Sequence, residues 1–312
     1  MSSDLLVECR GLGRDYGQHK AVDNVDFSLE RGQVLAFLGP NGAGKSTTMN
    51  MLTGCLAPSR GEVGICGIDL LEQPAAAKAR LGYLPEHPPL YPELTVDEYL
   101  RFTARLRGLP RKQLGGAVAR AKQRCGLTRE AGQLIGRLSR GYQQRVGIAQ
   151  AIIHEPDLVI LDEPTVGLDP NQVREIRELV GELASDHGII LSTHILPEVT
   201  ATCSHVQIMV GGRLVHAGSL AELEHRPVTG LRVGFVHAVD PQALWELPGV
   251  ESVEKRGDNE VFIRHKGRED LAPACAELAI KRQWGLRFLE PERTSLEQLF
   301  VNLTSGEQEA AA

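Results

Sequence analysis

The sequence predicts an α/β fold in which a parallel sheet is flanked by helices, and three observations carry that prediction. First, the apolar run Val34-Leu35-Ala36-Phe37-Leu38 reads as a buried strand. It leads at once into Gly39-Pro40-Asn41-Gly42-Ala43-Gly44-Lys45-Ser46-Thr47, and then into Thr48-Met49-Asn50-Met51-Leu52, the start of a helix. Second, the apolar strand Leu158-Val159-Ile160-Leu161 ends in Asp162-Glu163. Third, Ile189-Ile190-Leu191 ends in Ser192-Thr193-His194. Continuous apolar strands belong to parallel sheets covered on both faces, and such sheets hold their sites at the C-terminal strand edge.

The glycine-rich stretch has the spacing Gly-x-x-x-x-Gly-Lys-Ser of a phosphate-binding loop, in the strand–loop–helix context that loop requires. Its glycines let the backbone curl so that several N–H groups converge on one anion. The helix N-terminus adds partial positive charge behind them. Lys45 is expected to reach the outer phosphates, and the Ser46 hydroxyl to ligate Mg²⁺. Asp162 is the acid expected to hold the same Mg²⁺. Glu163, the next carboxylate, is placed to polarise a water for attack on a γ-phosphate. His194 closes a parallel strand like the one ending in Asp162, so both should meet at one edge, where an imidazole can contact that phosphate.

Bulk properties bound the rest. The chain has 312 residues, enough for one large or two smaller domains, and 42% hydrophobic content is ordinary for a protein with a sizeable core. No apolar run approaches a membrane span, and the N-terminus lacks the basic and apolar regions of a signal peptide. The expected address is the cytoplasm. Net charge is −6, with no Lys/Arg block, which argues against a nucleic-acid partner. The six cysteines have no zinc-ligand spacing and read as reduced thiols, mostly packed as small hydrophobes.

In chain order, Leu5 to Cys9 reads as a strand broken at Arg14-Asp15-Tyr16-Gly17. Ala21 to Leu29 alternates apolar with polar, as a half-buried antiparallel strand does. The helix behind the phosphate loop is read over 48–56, a short strand over 62–67 and a short helix from Pro74 to Arg80. Leu81 to Glu86 reads as a strand leaving into a proline-rich loop, His87 to Pro92. Thr95 and Glu98 have capping-box spacing and open a mostly helical insertion to about Gln133, punctuated by Pro110 and by Gly115-Gly116. Ser139 is a candidate N-cap for a helix running to about His154, with Val146, Ala149, Ile152 and Ile153 on one face. Gly167 to Pro170 is a turn, Asn171 to Ser185 an amphipathic helix, and Val206 to Ala217 a hairpin.

A composition break falls near Glu224 to Gly230, giving a first domain of 1–225, with a helical subdomain at about 87–155. Beyond it the order becomes β-α-β-β-α-β, the ferredoxin-like pattern, over 226–304. A helix is read from Ser295 to Leu303, and 305–312 are expected to be a disordered tail.

Together, the phosphate loop, Leu138-Ser139-Arg140-Gly141-Tyr142, Leu161-Asp162-Glu163-Pro164-Thr165, Gly167-Leu168-Asp169 and Ser192-Thr193-His194 resemble the ATP-binding subunit of ABC transporters. All stand in family order, and the likeness covers roughly residues 5–220. The resemblance implies that Tyr16 stacks on adenine and that Gly39 to Thr47 bind the triphosphate. It further implies that Asp162 supports Mg²⁺, that Glu163 is the general base, and that His194 contacts the γ-phosphate. Asp169 is then at the subunit junction, and Ser139, Arg140, Gly141 and Tyr142 bind the ATP held by a partner copy. One copy of each motif in the chain makes a homodimer around ATP the simplest arrangement.

Two positions depart from the family pattern. Its usual signature is Leu-Ser-Gly-Gly-Gln, whereas here Arg140 replaces the first Gly and Tyr142 the Gln. Glu86 stands where the family usually has a Gln that senses Mg²⁺ and the attacking water; a carboxylate can ligate Mg²⁺ but adds negative charge beside the phosphates. Both substitutions are similar to the ABC-2 type exporter branch, specifically its gliding-motility and multidrug-type ATPases. That branch implies an ABC-2 type transmembrane permease as partner, contacted by residues 86–110, and a peripheral place on the inner face of the membrane. A soluble ABC ATPase acting on a ribosome or nucleic acid is the alternative. A kinase, a GTPase or a non-hydrolysing ATP-binding module fits the motifs less well.

Overall fold

A computed structural model of the protein describes residues 5–224, 230–257, 259–265, 271–292, 296–297, 299–301 and 303. The chain divides into two compact units, Met1–Leu220 and Ala221–Ala312.

The first unit opens with a hairpin of β1 (Leu5–Tyr16) and β2 (His19–Glu30). Tyr16 is therefore the last residue of a strand and not part of a turn; the turn is Gly17-Gln18. The strand survives its polar stretch because β1 shifts register between Cys9 and Leu12 and again on either side of Arg14. Those irregularities keep Arg14, Asp15 and Tyr16 paired with Val22, Lys20 and His19. Next comes β3 (Val34–Leu38), buried along its whole length, then α1 (Lys45–Leu52). The helix begins three residues earlier than the sequence indicates, so the last residues of the phosphate loop form its first turn.

β4 (Arg60–Ile65) and β5 (Ile68–Asp69) complete a four-stranded sheet of order β2-β1-β4-β5. After α2 (Pro74–Ala79) and β6 (Leu81–Leu84) the helical insertion begins with α3 (Val96–Leu106). Its capping box forms as expected: Glu98 N–H donates to Thr95 Oγ1 at 3.2 Å, and Thr95 N–H donates to the Glu98 carboxylate at 2.9 Å. α4 (Arg111–Arg124) runs unbroken through Gly115-Gly116. Its buried stripe of Leu114, Ala117, Val118 and Ala121 packs on both sides of the glycines, and that packing outweighs their weak helix propensity. α5 (Arg140–Ile152) follows, capped by Ser139.

The second half supplies β7 (Leu158–Asp162), α6 (Pro170–Leu183), β8 (Gly188–Thr193), α7 (Leu196–Thr202) and the hairpin β9 (His205–Val210) and β10 (Arg213–Ser219). The main sheet has the order β10-β9-β3-β8-β7-β6. All its pairings are parallel except β9 with β10. The antiparallel sheet packs on this one through an edge-to-face contact of Phe27 and Phe37, ring centroids 5.1 Å apart.

α8 (Leu220–Glu224) leads to the second unit, which holds β11 (Gly230–Phe235), β12 (Val250–Lys255), β13 (Glu260–His265), α9 (Ala272–Lys281) and β14 (Leu286–Glu292). The four strands form an antiparallel sheet of order β12-β13-β11-β14. Leu231, Val233, Phe235, Ile263 and Cys275 are core residues of this unit. The first helical element of this unit is a 3₁₀ segment, Pro241–Glu246, capped by the Asp240 carboxylate. Residues 225–229 of the composition break, Ser295, and the tail 305–312 lie outside the described residues.

Candidate active site

Parallel pairing in register brings the expected residues together. β3, β8 and β7 are neighbours, with Leu38 opposite Thr193 and Asp162 opposite Ser192. The phosphate loop, the Asp162-Glu163 pair and His194 therefore share the C-terminal edge of one sheet. The loop, Glu163 and His194 border a cavity of about 460 Å³, the size of a small-molecule site. Asn41, Gly42, Gly44, Lys45, Ser46 and Thr47 line it, as do Glu163, His194, Glu86 and Val166; Tyr16, His19 and Ala21 close it from the β1–β2 hairpin.

Gly39, Pro40 and Ala43 build the loop from beneath. A side chain at Gly39 would strike the Met209 carbonyl, so only glycine lets the loop lie on β9. Gly44, at φ 102°, is in the left-handed region and would meet the Ala21 carbonyl if it carried a Cβ. The Lys45 ammonium is buried and donates to the carbonyls of Gly39 (2.8 Å) and Pro40 (3.1 Å). It also lies 3.6 Å from Glu163 Oε1.

Asp162 is buried at the end of β7 and accepts from the Ser46 hydroxyl at 3.3 Å and, in a very short contact, from Ser192. Burial pushes its carboxyl above the usual range; the two hydroxyls and Lys45 oppose that, and the nearby Glu86 charge adds to it. Glu163 has φ 47°, a left-handed conformation costing a non-glycine residue about 1–3 kcal/mol. Its N–H is held by the Ser192 hydroxyl (3.0 Å) and carbonyl (3.2 Å). That kink turns its carboxylate toward Lys45 and toward His194, whose Nδ1 is 3.1 and 3.2 Å from the two carboxylate oxygens.

Two residues that matter here carried no role in the sequence reading. Ser192 holds both Asp162 and the Glu163 backbone. Glu198, only 4% exposed, accepts from the hydroxyls of Thr165 (2.6 Å) and Thr193 (2.9 Å), tying the turn after Glu163 to the end of β8. A serine that ends the apolar run Ile189-Ile190-Leu191, two residues before the site histidine, is the available signal for the first. Nothing local in sequence marks the second.

Ser139, Arg140, Gly141, Tyr142 and Asp169 do not border this cavity. They gather instead around the start of α5. Tyr142 N–H donates to Ser139 Oγ at 3.4 Å, leaving the cap and the side chain of Ser139 exposed. The Arg140 guanidinium lies against Gly167, and Gly141 lies against the Gln172 side chain. Asp169 caps α6 through the N–H groups of Asn171 (2.9 Å) and Gln172 (3.1 Å). Tyr142 is exposed, with the Arg145 guanidinium 5.7 Å from its ring centroid. A second cavity, of about 480 Å³, is bordered by Arg140, Gln143 and Gln144 on one side and by His87 and Pro88 on the other. Glu86 borders both cavities.

Among the described residues no three His, Cys, Asp or Glu side chains cluster as a complete metal cage. The donors present suit Mg²⁺ nonetheless. A serine hydroxyl and a carboxylate already in hydrogen-bond contact, beside an anion-binding loop, supply the one or two protein ligands that ion takes when phosphates and water complete its shell.

The family model described as ABC transporter matches residues 22–166. The chain is 32% identical to an uncharacterized ABC transporter ATP-binding protein, YxlF, of Bacillus subtilis, over 96% of this chain and 99% of the relative. It is 33% identical to the Nod factor export ATP-binding protein I of Cupriavidus metallidurans, over 97% and 98% respectively. It is 30% identical to the linearmycin resistance ATP-binding protein LnrL of Bacillus subtilis, over 96% and 98%. Among solved structures, an ATP-binding subunit of an ABC transporter superposes with a TM-score of 0.64 at 34% identity, covering 70% of this chain and 92% of that one.

Proposed function

The chain belongs to the ABC transporter family as an ATP-binding, ATP-hydrolysing subunit, and from that premise we propose that it powers export through a separate membrane permease. One observation supports the reading above the others. The relatives it matches from end to end include subunits named for Nod factor export and linearmycin resistance, so the second unit is shared with them as well as the ATPase core. None of the helices among the described residues is long and apolar enough to cross a membrane.

In the proposed reaction the cavity takes ATP with the adenine against Tyr16 and the triphosphate in the loop from Gly39 to Thr47. Lys45 leaves the Gly39 and Pro40 carbonyls for the β- and γ-phosphates. Ser46 and Asp162, with Glu86 at the rim, would hold Mg²⁺, which would neutralise charge on the phosphates. Glu163 takes a proton from the water that attacks the γ-phosphorus, while the bond to the ADP oxygen breaks. His194 orients Glu163 and donates to the γ-phosphate. Ser139, Arg140, Gly141 and Tyr142 act on the ATP of a second copy, with Asp169 at the junction. Their absence from the chain's own cavity supports a site completed by a dimer.

The permease is proposed to be of the ABC-2 type and to bind residues 86–110. That stretch carries an exposed aromatic pair, Tyr91 and Phe102, with ring centroids 5.6 Å apart, and the exposed Leu106. The second unit is proposed to be ferredoxin-like, which its strand order supports. The subunit then sits on the inner face of the membrane through its permease. Reconstitution with an ABC-2 type membrane protein from the same genome tests this: ATP hydrolysis rises when the two are combined in liposomes. Hydrolysis indifferent to the membrane protein but stimulated by ribosomes would favour the soluble alternative.

A further inference from the structure

Tyr16 is the second layer of a stack that the Arg14 guanidinium begins. Arg14 and Tyr16 are two apart at the end of β1. The Arg14 guanidinium carbon lies 4.9 Å from the Tyr16 ring centroid, within cation–π range. The guanidinium is anchored from beyond the hairpin, since Nη1 donates to the carbonyl of Ala57 at 2.8 Å. Its Nε is buried without a hydrogen-bond partner. The guanidinium is thus held by the Ala57 carbonyl at one end and meets the face of the Tyr16 ring with the rest of its plane.

The strand end is fixed as well. Arg60 donates to Asp15 at 2.6 Å, and the Ser59 hydroxyl accepts from Asp15 N–H at 3.1 Å. Tyr16 is nevertheless half exposed, and it borders the nucleotide cavity opposite His19, its pairing partner on β2. One face of the ring is thus covered by a pinned cation while the ring still borders the cavity.

We propose that Arg14 is a positioning residue for nucleotide binding: its guanidinium backs the Tyr16 ring so that a purine base completes a three-layer stack of guanidinium, phenol and base. The inference rests on the ATPase reading and deepens it by naming the residue that sets the ring on which the base stacks. The cation draws electron density from the ring and favours an electron-rich purine on the free side. It also holds the ring at one angle, so less freedom is lost when the base arrives.

The test compares ATP with inorganic tripolyphosphate, a probe that has the phosphates and no base, by titration of the full chain with Mg²⁺ present. Arg14→Ala is expected to weaken ATP binding about three- to fivefold, the range of a partly exposed cation–π contact, and to leave tripolyphosphate binding unchanged. Arg14→Lys, which keeps the charge but not the plane, is expected to recover part of the loss. Adding Arg14→Ala to Tyr16→Ala should cost nothing further, because the ring it backs is gone. Equal losses for ATP and tripolyphosphate, or additive losses in the double variant, would overturn the proposal while leaving the ATPase reading intact. An unaltered protein that bound neither probe would overturn both.

Discussion

Lys45 Nζ lies 3.6 Å from Glu163 Oε1, and both side chains are buried. The lysine meant for the phosphates and the carboxylate meant for the water are thus partnered with each other. A buried ion pair of this kind is costly to break by removing one member, because the other is left uncompensated. On the proposed reading, incoming phosphates replace Glu163 as the partner of Lys45 and free the carboxylate to take a proton. Glu163→Gln keeps the shape and removes the base. It is expected to lower turnover about 10²- to 10⁴-fold while retaining nucleotide and accumulating an ATP-bound dimer. Phosphate release together with light scattering checks this; normal turnover would remove Glu163 from its role.

Lys45→Ala removes the other member. It takes away a charged donor to the phosphates and leaves Glu163 facing them unneutralised. Charged hydrogen bonds are worth about 1.5–3 kcal/mol, so nucleotide affinity should fall roughly ten- to a hundredfold. A calorimetric titration showing unchanged affinity would contradict this.

Much of this site can be read from sequence because a parallel sheet converts order along the chain into adjacency in space. Val34 to Leu38, Leu158 to Asp162 and Gly188 to Thr193 are continuous apolar runs, and their polar ends meet for that reason alone. What could not be read depends on contacts between distant backbones. Tyr16 ends a strand because register shifts in β1 absorb its polar neighbours. Gly115-Gly116 stays helical because of the packing around it. Glu198 matters because two threonines from different segments converge on it.

On the proposed reading, Asp162 links acidity to metal binding. Its carboxyl titrates above the usual range, chiefly through burial. A raised folded-state value means that the protonated form is favoured in the fold, so its contribution to stability is present at acid pH and is lost as pH rises through that value. Mg²⁺ needs the ionised form, so nucleotide-dependent Mg²⁺ affinity should weaken as pH falls, beginning at a higher pH than for an ordinary aspartate. Ser192→Ala removes a hydroxyl that stabilises the carboxylate, and should move that weakening to still higher pH. Isothermal titration across pH 4 to 8 reads both curves, and coincident curves would contradict the role of Ser192.

His154 gives the opposite sign in a stability measurement. Burial is the main cause of its depressed pKa, about 4, and its Nε2 lies 3.1 Å from the Leu81 carbonyl oxygen. The neutral ring is favoured in the fold, so its stabilising contribution is present above the unfolded value of about 6.5 and is lost as pH falls from there toward 4. Full protonation would cost roughly 3 kcal/mol. His154→Gln should flatten the fall in urea midpoint between those pH values. An unchanged slope would show that another group governs acid stability.

The gathering of Ser139 and Asp169 away from the chain's own cavity makes the most demanding prediction. If each ATP lies between the loop of one copy and the α5 terminus of another, a Lys45→Ala chain and a Ser139→Arg chain are each inactive alone. Mixed, they form heterodimers in which one composite site takes its loop from the second chain and its helix end from the first, and is intact. Random pairing makes half the dimers mixed, each with one good site of two, so about a quarter of the unaltered rate should return. Placing both substitutions in one chain and mixing it with unaltered protein spoils both sites of every heterodimer, so only unaltered homodimers contribute. Recovery in the first mixture and none beyond the homodimers in the second is the pattern expected of a site shared between copies; a site complete within one chain would show no recovery in the first.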